Sequence, residues 1–300
     1  MKRLTVTVPA TSANLGPGFD LLGLALPLYN RLTVEEAEAL EIRHTGPESA
    51  GLPEGPEHLS YQAARRVCEK LGKPVPTWKM TTEVAIPPSR GLGSSSAAIV
   101  AGLVAANGWY GEPLSKAELL TLANEMEGHP DNVAPAIYGG VTAAFSVEGT
   151  THCVPLADRV PATLVLAVPA FRLATEEARR ALPETYSRQD VLTNLAAVTI
   201  LTTVMSTGKI EYWPLGLIDR IHQPYRLPLI PGASAVFASA KQAGAYGCVI
   251  SGAGPTLLAI SPADRARAVA EAMEAAWAQA GIQGRSLTFE ALSDGARLDS

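Results

Sequence analysis

Apolar and polar positions alternate from residue 4 to residue 8, with Leu4, Val6 and Val8 against Thr5 and Thr7, which predicts a half-buried strand stopped at Pro9. A loop follows, with Gly16, Gly18 and Gly23 close together, and then a second strand near residues 32–34. The stretch 46–56 is rich in Gly, Pro and Glu and predicts an exposed connection, before a helix over 59–71 and a strand over 77–86 that ends on Pro87 and Pro88. Residues 91–111 then predict a glycine loop opening a helix of small residues. Ser115 and Glu118 have the spacing of a capping box, Leu119, Leu122, Ala123 and Met126 follow at helical spacing, and Gly128 closes that helix.

Strands over 140–147 and 163–168 bracket the loop 155–161, where the boundary between a domain 1–157 and a domain 158–300 is placed. Beyond it, helices over 175–181, 190–206, 234–243 and 263–280 alternate with strands over 248–250, 257–260 and 287–291. The layout is α+β. Two domains suit a chain of 300 residues, each long enough to bury a core.

Composition adds exclusions. At 47% hydrophobic and 18% charged the chain has the balance of a folded protein. A net charge of −5 with scattered Lys and Arg argues against a nucleic-acid partner. No apolar leader precedes the first strand, and no run approaches the roughly 18 apolar residues of a membrane span, so the expectation is a cytoplasmic protein with no membrane partner. Cys68, Cys153 and Cys248 stand far apart, and the five histidines lack HExxH spacing, which leaves no pattern for a transition-metal site.

The chemistry concentrates in a few segments. Residues 87–97, PPSRGLGSSSA, form a glycine loop running into a serine-rich helix start. Glycines admit a ligand close to the backbone, and the first amides of a helix carry partial positive charge, an arrangement suited to polyphosphate. The Walker A pattern is absent, and no GxGxxG follows a strand. Glu125 and Glu127 crowd the last turn of a helix, where the macrodipole disfavours negative charge and a bound cation would relieve it.

Taken with residues 9–20, PATSANLGPGFD, and 247–257, GCVISGAGPTL, the serine loop resembles the three ordered motifs of the GHMP kinases, with the first motif in its homoserine kinase form. The resemblance spans nearly the whole chain. It implies an N-terminal domain of the ribosomal protein S5 domain 2 type, a ferredoxin-like C-terminal domain and an active site in the cleft between them. It further implies ATP with Mg²⁺ and transfer of a phosphoryl group to L-homoserine in threonine biosynthesis, with a homodimer as a family-level expectation.

By the same resemblance, ATP would be bound by Pro87, Pro88, Ser89, Arg90, Gly91, Leu92, Gly93, Ser94, Ser95, Ser96 and Ala97, and the metal by Glu125 with Ser94. Asn14, Asp20, His129 and Asn132 would hold the amino acid, and Arg179 and Arg226 its carboxylate, which a forked guanidinium matches. Asn132 would orient the acceptor hydroxyl. No general base is obligatory for phosphoryl transfer, and Asp131 is the fallback. His58 departs from the Asn common in relatives near the adenine pocket. Two other readings remain: a GHMP kinase for another alcohol, for which both arginines are dispensable, and a silent nucleotide-binding regulator.

Overall fold

The computed structural model describes residues 2–299. Strands β1 (Arg3–Ala13) and β2 (Leu22–Glu36) form a long antiparallel pair. Pro9 does not stop β1. The register shifts between Pro9 and Ala10, an irregularity of the kind that accommodates a residue with no N–H to donate, and the strand runs on to Ala13. It therefore delivers Asn14 straight into the glycine loop.

Strand β3 (Glu41–Thr45), helix α1 (Leu59–Leu71) and β4 (Trp78–Glu83) follow, with β4 antiparallel to β2 and parallel to β3. Helix α2 (Ser94–Trp109) is apolar and small on every side, the pattern of a buried helix, and packs against α1 and β1. In helix α3 (Lys116–Glu127) the capping box is made, with Ser115 and Glu118 bonded reciprocally. Helix α4 (Pro130–Tyr138) was absent from the sequence reading because two prolines look like breakers, yet Pro130 occupies the first turn, where no N–H is needed. Strands β5 (Val141–Val147) and β6 (Thr150–Ala157) complete this side.

The second sheet contains β7 (Thr163–Pro169), β8 (Gly247–Ile250), β9 (Leu257–Ser261) and β10 (Gly284–Phe289), in the order β10-β7-β9-β8 and antiparallel throughout. Between β7 and β8 lie α5 (Thr175–Arg180), α6 (Arg188–Thr207), α7 (Trp213–Gly216), α8 (Gln223–Arg226) and α9 (Ala233–Gln242), and α10 (Ala266–Gln279) joins β9 to β10. With α9 and α10 as crossovers this is the split βαβ arrangement of ferredoxin-like folds.

The change of sheet falls between β6 and β7, and the two units exchange material across it. Strand β11 (Arg297–Asp299) returns to pair with β1 in the first sheet. The larger apolar cluster joins Val6, Leu24 and Val100 of the first half to Leu201, Trp213 and Leu258 of the second.

One sequence expectation is corrected: α6, at 20 residues and with an 18-residue stretch of mean hydropathy 1.3, is long and apolar enough by composition to cross a membrane. Its composition hides its polarity. Thr199, Thr202, Thr203, Ser206 and Thr207 return their hydroxyls to carbonyls one turn back, while Ala197, Leu201, Val204 and Met205 are buried.

Candidate active site

Three segments far apart in sequence meet at the start of α2. The Thr11 amide donates to the Leu92 carbonyl at 3.1 Å, and the Gly252 amide to the Ala13 carbonyl at 3.0 Å. Asn14 donates its side-chain amide to the Gly252 carbonyl at 2.8 Å. Gly91, at φ +71°, has no room for a Cβ, which would lie 2.2 Å from the Ser251 carbonyl oxygen. The glycine loop is thus held between β1 and the loop after β8. Asn14, Leu15 and Asp20 all take positive φ, strain of the sort that collects at functional sites.

This junction walls one end of a cavity of about 420 Å³. From the serine motif, Pro88, Ser89, Gly91, Leu92, Gly93, Ser94, Ser95 and Ala97 line it, whereas Pro87, Arg90 and Ser96 do not. Arg90 is otherwise engaged: its guanidinium donates to the carbonyls of Pro169 at 3.1 Å and Ala170 at 2.8 Å, tying the loop to the end of β7. The first amides of α2 have no partner within the helix and open toward the cavity that the loop lines.

The two glutamates of α3 part company. Residues two apart on a helix lie about 200° apart around its axis, so one cavity cannot be served by both. Glu125 is half exposed, pairs with Arg66 at 2.8 Å and is not among the residues that line the cavity. Glu127 lines the cavity and its Oε1 accepts from Ser95 at 2.8 Å and from Ser96 at 2.7 Å. Ser94 turns instead to the Ile86 carbonyl at 3.3 Å. The signal for Glu127 was in the sequence: it follows Leu120 and Ala123, both fully buried, at seven and four positions, on the inner stripe of α3.

The amino-acid candidates all line the cavity: Asn14, Asp20, His129, Asn132, Arg179 and Arg226, with Asp131 beside them. Arg179 holds Asp20 with both nitrogens, at 3.0 and 2.8 Å. Arg226 is 2% exposed, donates to the carbonyls of Ala178 at 3.2 Å and Gly252 at 3.3 Å, and lies 5.0 Å above the Phe19 ring. Burial, and then the nearby Arg179, push its pKa down.

Asp131 is 2% exposed and bonds His129 at 2.9 Å. Burial alone would lower the His129 pKa, but the hydrogen bond and charge of Asp131, with Glu127 beyond, outweigh it and raise it. Asn132 accepts the Thr11 hydroxyl on Oδ1 at 2.8 Å, which leaves its amide nitrogen as the donor for a ligand. Thr11, which fixes Asn132, Phe19, under Arg226, and Ser251, bonded to the Gly91 carbonyl, support the lining and carry no role that sequence alone assigns.

His58 stands at the apolar end of the cavity, 5% exposed, stacked on His44 with ring centroids 5.0 Å apart. Burial, then the charge of His44, lower its pKa to about 4, so the ring is neutral at ordinary pH.

The GHMP kinase N-terminal domain model matches residues 58–140 and the GHMP kinase C-terminal model residues 210–279. The fold is that of this class: the L. major mevalonate kinase crystallised with R-mevalonate matches at TM-score 0.71 with 17% identity over 94% of each chain, a likeness of fold alone. The homoserine kinase of Microchaete diplosiphon is 49% identical over 96% of this chain and 95% of its own length. That of Synechococcus sp. RCC307 is 45% identical over 98% and 95%. The crystal structure of homoserine kinase from Cytophaga hutchinsonii superposes at TM-score 0.89, with 28% identity, over 100% of this chain and 98% of that one. The chain belongs to the homoserine kinase family.

Proposed function

We propose that this chain transfers the γ-phosphoryl group of ATP to the side-chain hydroxyl of L-homoserine, giving O-phospho-L-homoserine, in the cytoplasm and on the way to threonine. The observation that carries the reading is the pairing of unlike ends in one cavity: a helix start with hydroxyls and a carboxylate at one end, and Asp20, Arg179 and Arg226 at the other. An ammonium suits Asp20, and a carboxylate suits the two guanidinium groups. Mevalonate and simple sugars lack that pair of charges.

A magnesium ion fits the nucleotide end, because a single carboxylate, Glu127, and the hydroxyl of Ser95 converge there, and Mg²⁺ takes its other ligands from phosphate and water. When bound, the ion supplies positive charge to the β- and γ-phosphate oxygens. Amides at the start of α2 cradle the phosphates, and Gly91 and Gly93 let Ser251 and Thr11 pack against the loop that presents them. Asn132, fixed by Thr11, orients the acceptor hydroxyl. Asp131 is engaged with His129, so its first task is to hold that ring, and transfer proceeds by positioning and charge neutralisation with no obligatory base.

Coupled ADP release tests this, with L-homoserine, mevalonate and galactose as acceptors. Turnover with homoserine and not with the others is expected, and Asp131→Asn keeps most of kcat. Equal turnover on mevalonate would remove the substrate assignment, and tight nucleotide binding without any transfer would favour the silent regulator.

A further inference from the structure

Arg226 is held from behind. Its Nη1 donates to His222 Nδ1 at 3.4 Å, and His222 Nε2 in turn donates to the Gly16 carbonyl at 2.9 Å. Only one tautomer of a neutral ring serves both contacts, with the proton on Nε2. His222 is fully buried, as is the Asp219 side chain 3.4 Å away, and Phe19 stacks on the imidazole at a centroid distance of 5.3 Å.

Asp219 accepts the backbone amides of Ile221, His222 and Gln223 at 2.9, 3.1 and 2.6 Å, fixing the turn that enters α8. One imidazole therefore links Gly16, in the loop that presents Asp20, to the guanidinium on the far wall. Asp219 and His222 lie in the turn that precedes α8, and Arg226 stands at the end of that one-turn helix.

We infer that His222 is a positioning residue for the amino-acid substrate, holding Arg226 through Nδ1 and the Gly16 loop through Nε2, so that carboxylate and ammonium sites keep a fixed separation. This rests on the reading of Arg226 as a carboxylate-binding group. His222 touches no reacting atom; its effect is on how well an α-amino acid binds.

The test uses the full chain with ATP and Mg²⁺, and measures KM for homoserine, KM for ATP, kcat and the thermal midpoint. His222→Leu removes both contacts and is expected to raise the homoserine KM roughly tenfold or more, the scale of a lost hydrogen bond to a charged group. The ATP KM and kcat stay near wild type. His222→Asn keeps a polar atom close to the Nδ1 position and recovers part of the loss. Should His222→Leu fail to fold, His222→Gln, which reaches Gly16 but not Arg226, is read in its place.

An unchanged homoserine KM in the folded variant overturns the inference, as does an Asn variant no better than Leu. Parallel losses in both KM values, kcat and thermal midpoint mean a purely structural role and overturn it too. Arg226→Ala separates the two layers. If it leaves the homoserine KM untouched, the carboxylate reading falls; if it raises KM while the His222 variants do not, only the inference falls.

Discussion

The two ends of the cavity recognise charge by different means. At the nucleotide end the donors are mostly backbone amides of a loop and a helix start, and the one converging carboxylate, Glu127, already accepts two serine hydroxyls. At the other end the candidate groups are side chains from four separate segments, tied to their surroundings by side-chain contacts, Arg179 to Asp20 and Arg226 to His222. A polyphosphate is met by something every helix has, so a short motif suffices. A zwitterion needs two opposite charges at a set distance, and those are assembled only by the fold.

Substitution at Glu127 gives the largest expected effect. Glu127→Gln keeps the shape but removes the one negative charge that converges on the start of α2, and kcat is expected to fall about a hundredfold to a thousandfold, the range for losing one preorganised electrostatic contact. Glu125→Gln, two residues away and paired with Arg66 on the surface, should stay within about twofold of wild type, as for other exposed ion pairs. Coupled ADP release measures both. The reverse ranking would restore Glu125 as the metal ligand and dissolve the contrast between the ends.

Next in size is Arg179→Ala. In the proposed reading the homoserine ammonium takes Asp20 and its carboxylate takes the arginines, in place of the Arg179–Asp20 pair. Losing a bidentate charged contact is expected to raise the homoserine KM roughly thirtyfold, with the ATP KM unchanged. A matching rise in both KM values would mean that the pair closes the cleft as a whole rather than reading the substrate.

Gly91→Ala strikes the other end, at the backbone of the glycine loop. A Cβ there lies 2.2 Å from the Ser251 carbonyl and the backbone sits at φ +71°. The left-handed conformation alone costs an alanine about 1–2 kcal/mol, and the clash must move the loop. The expected outcome is a rise in the ATP KM of around tenfold with a lowered thermal midpoint, while homoserine binding measured without nucleotide changes little.

These contrasts also mark what the sequence could disclose. The phosphate loop, the capping box of α3 and the order of three glycine motifs were legible because each is local, with its physics contained in adjacent residues. Strand β1 was cut short because Pro9 reads as punctuation when a register shift absorbs it, and α4 was passed over because Pro130 looks like a breaker where it is a starter. Asp20, Arg179 and Arg226 came from family resemblance, since nothing near an isolated arginine in sequence says what it faces. Glu127 was recoverable, because the helical period sets it and Glu125 on opposite sides. His222 was not legible, because its partners, Gly16 and Arg226, meet it only in the fold.

The smallest effect concerns the base slot, where a titratable side chain interrupts the backbone-dominated nucleotide end. His58 is buried and resists protonation down to about pH 4, whereas an unfolded histidine takes its proton near 6.5. Between those values the unfolded state binds the extra proton, so the stability that neutral His58 permits is complete above about pH 6.5 and is lost progressively as pH falls toward 4. Loss by pH 5 should approach about 2 kcal/mol, at about 1.36 kcal/mol for each unit of separation. His58→Asn cannot titrate, and its urea midpoint is expected to drop less between pH 7 and pH 5 than that of the wild type. Equal drops in the two proteins would show that acid sensitivity resides elsewhere, with the His129–Asp131 pair excluded by the opposite sign of its shift: a raised imidazole pKa contributes stability below its ordinary value and loses it only as pH rises.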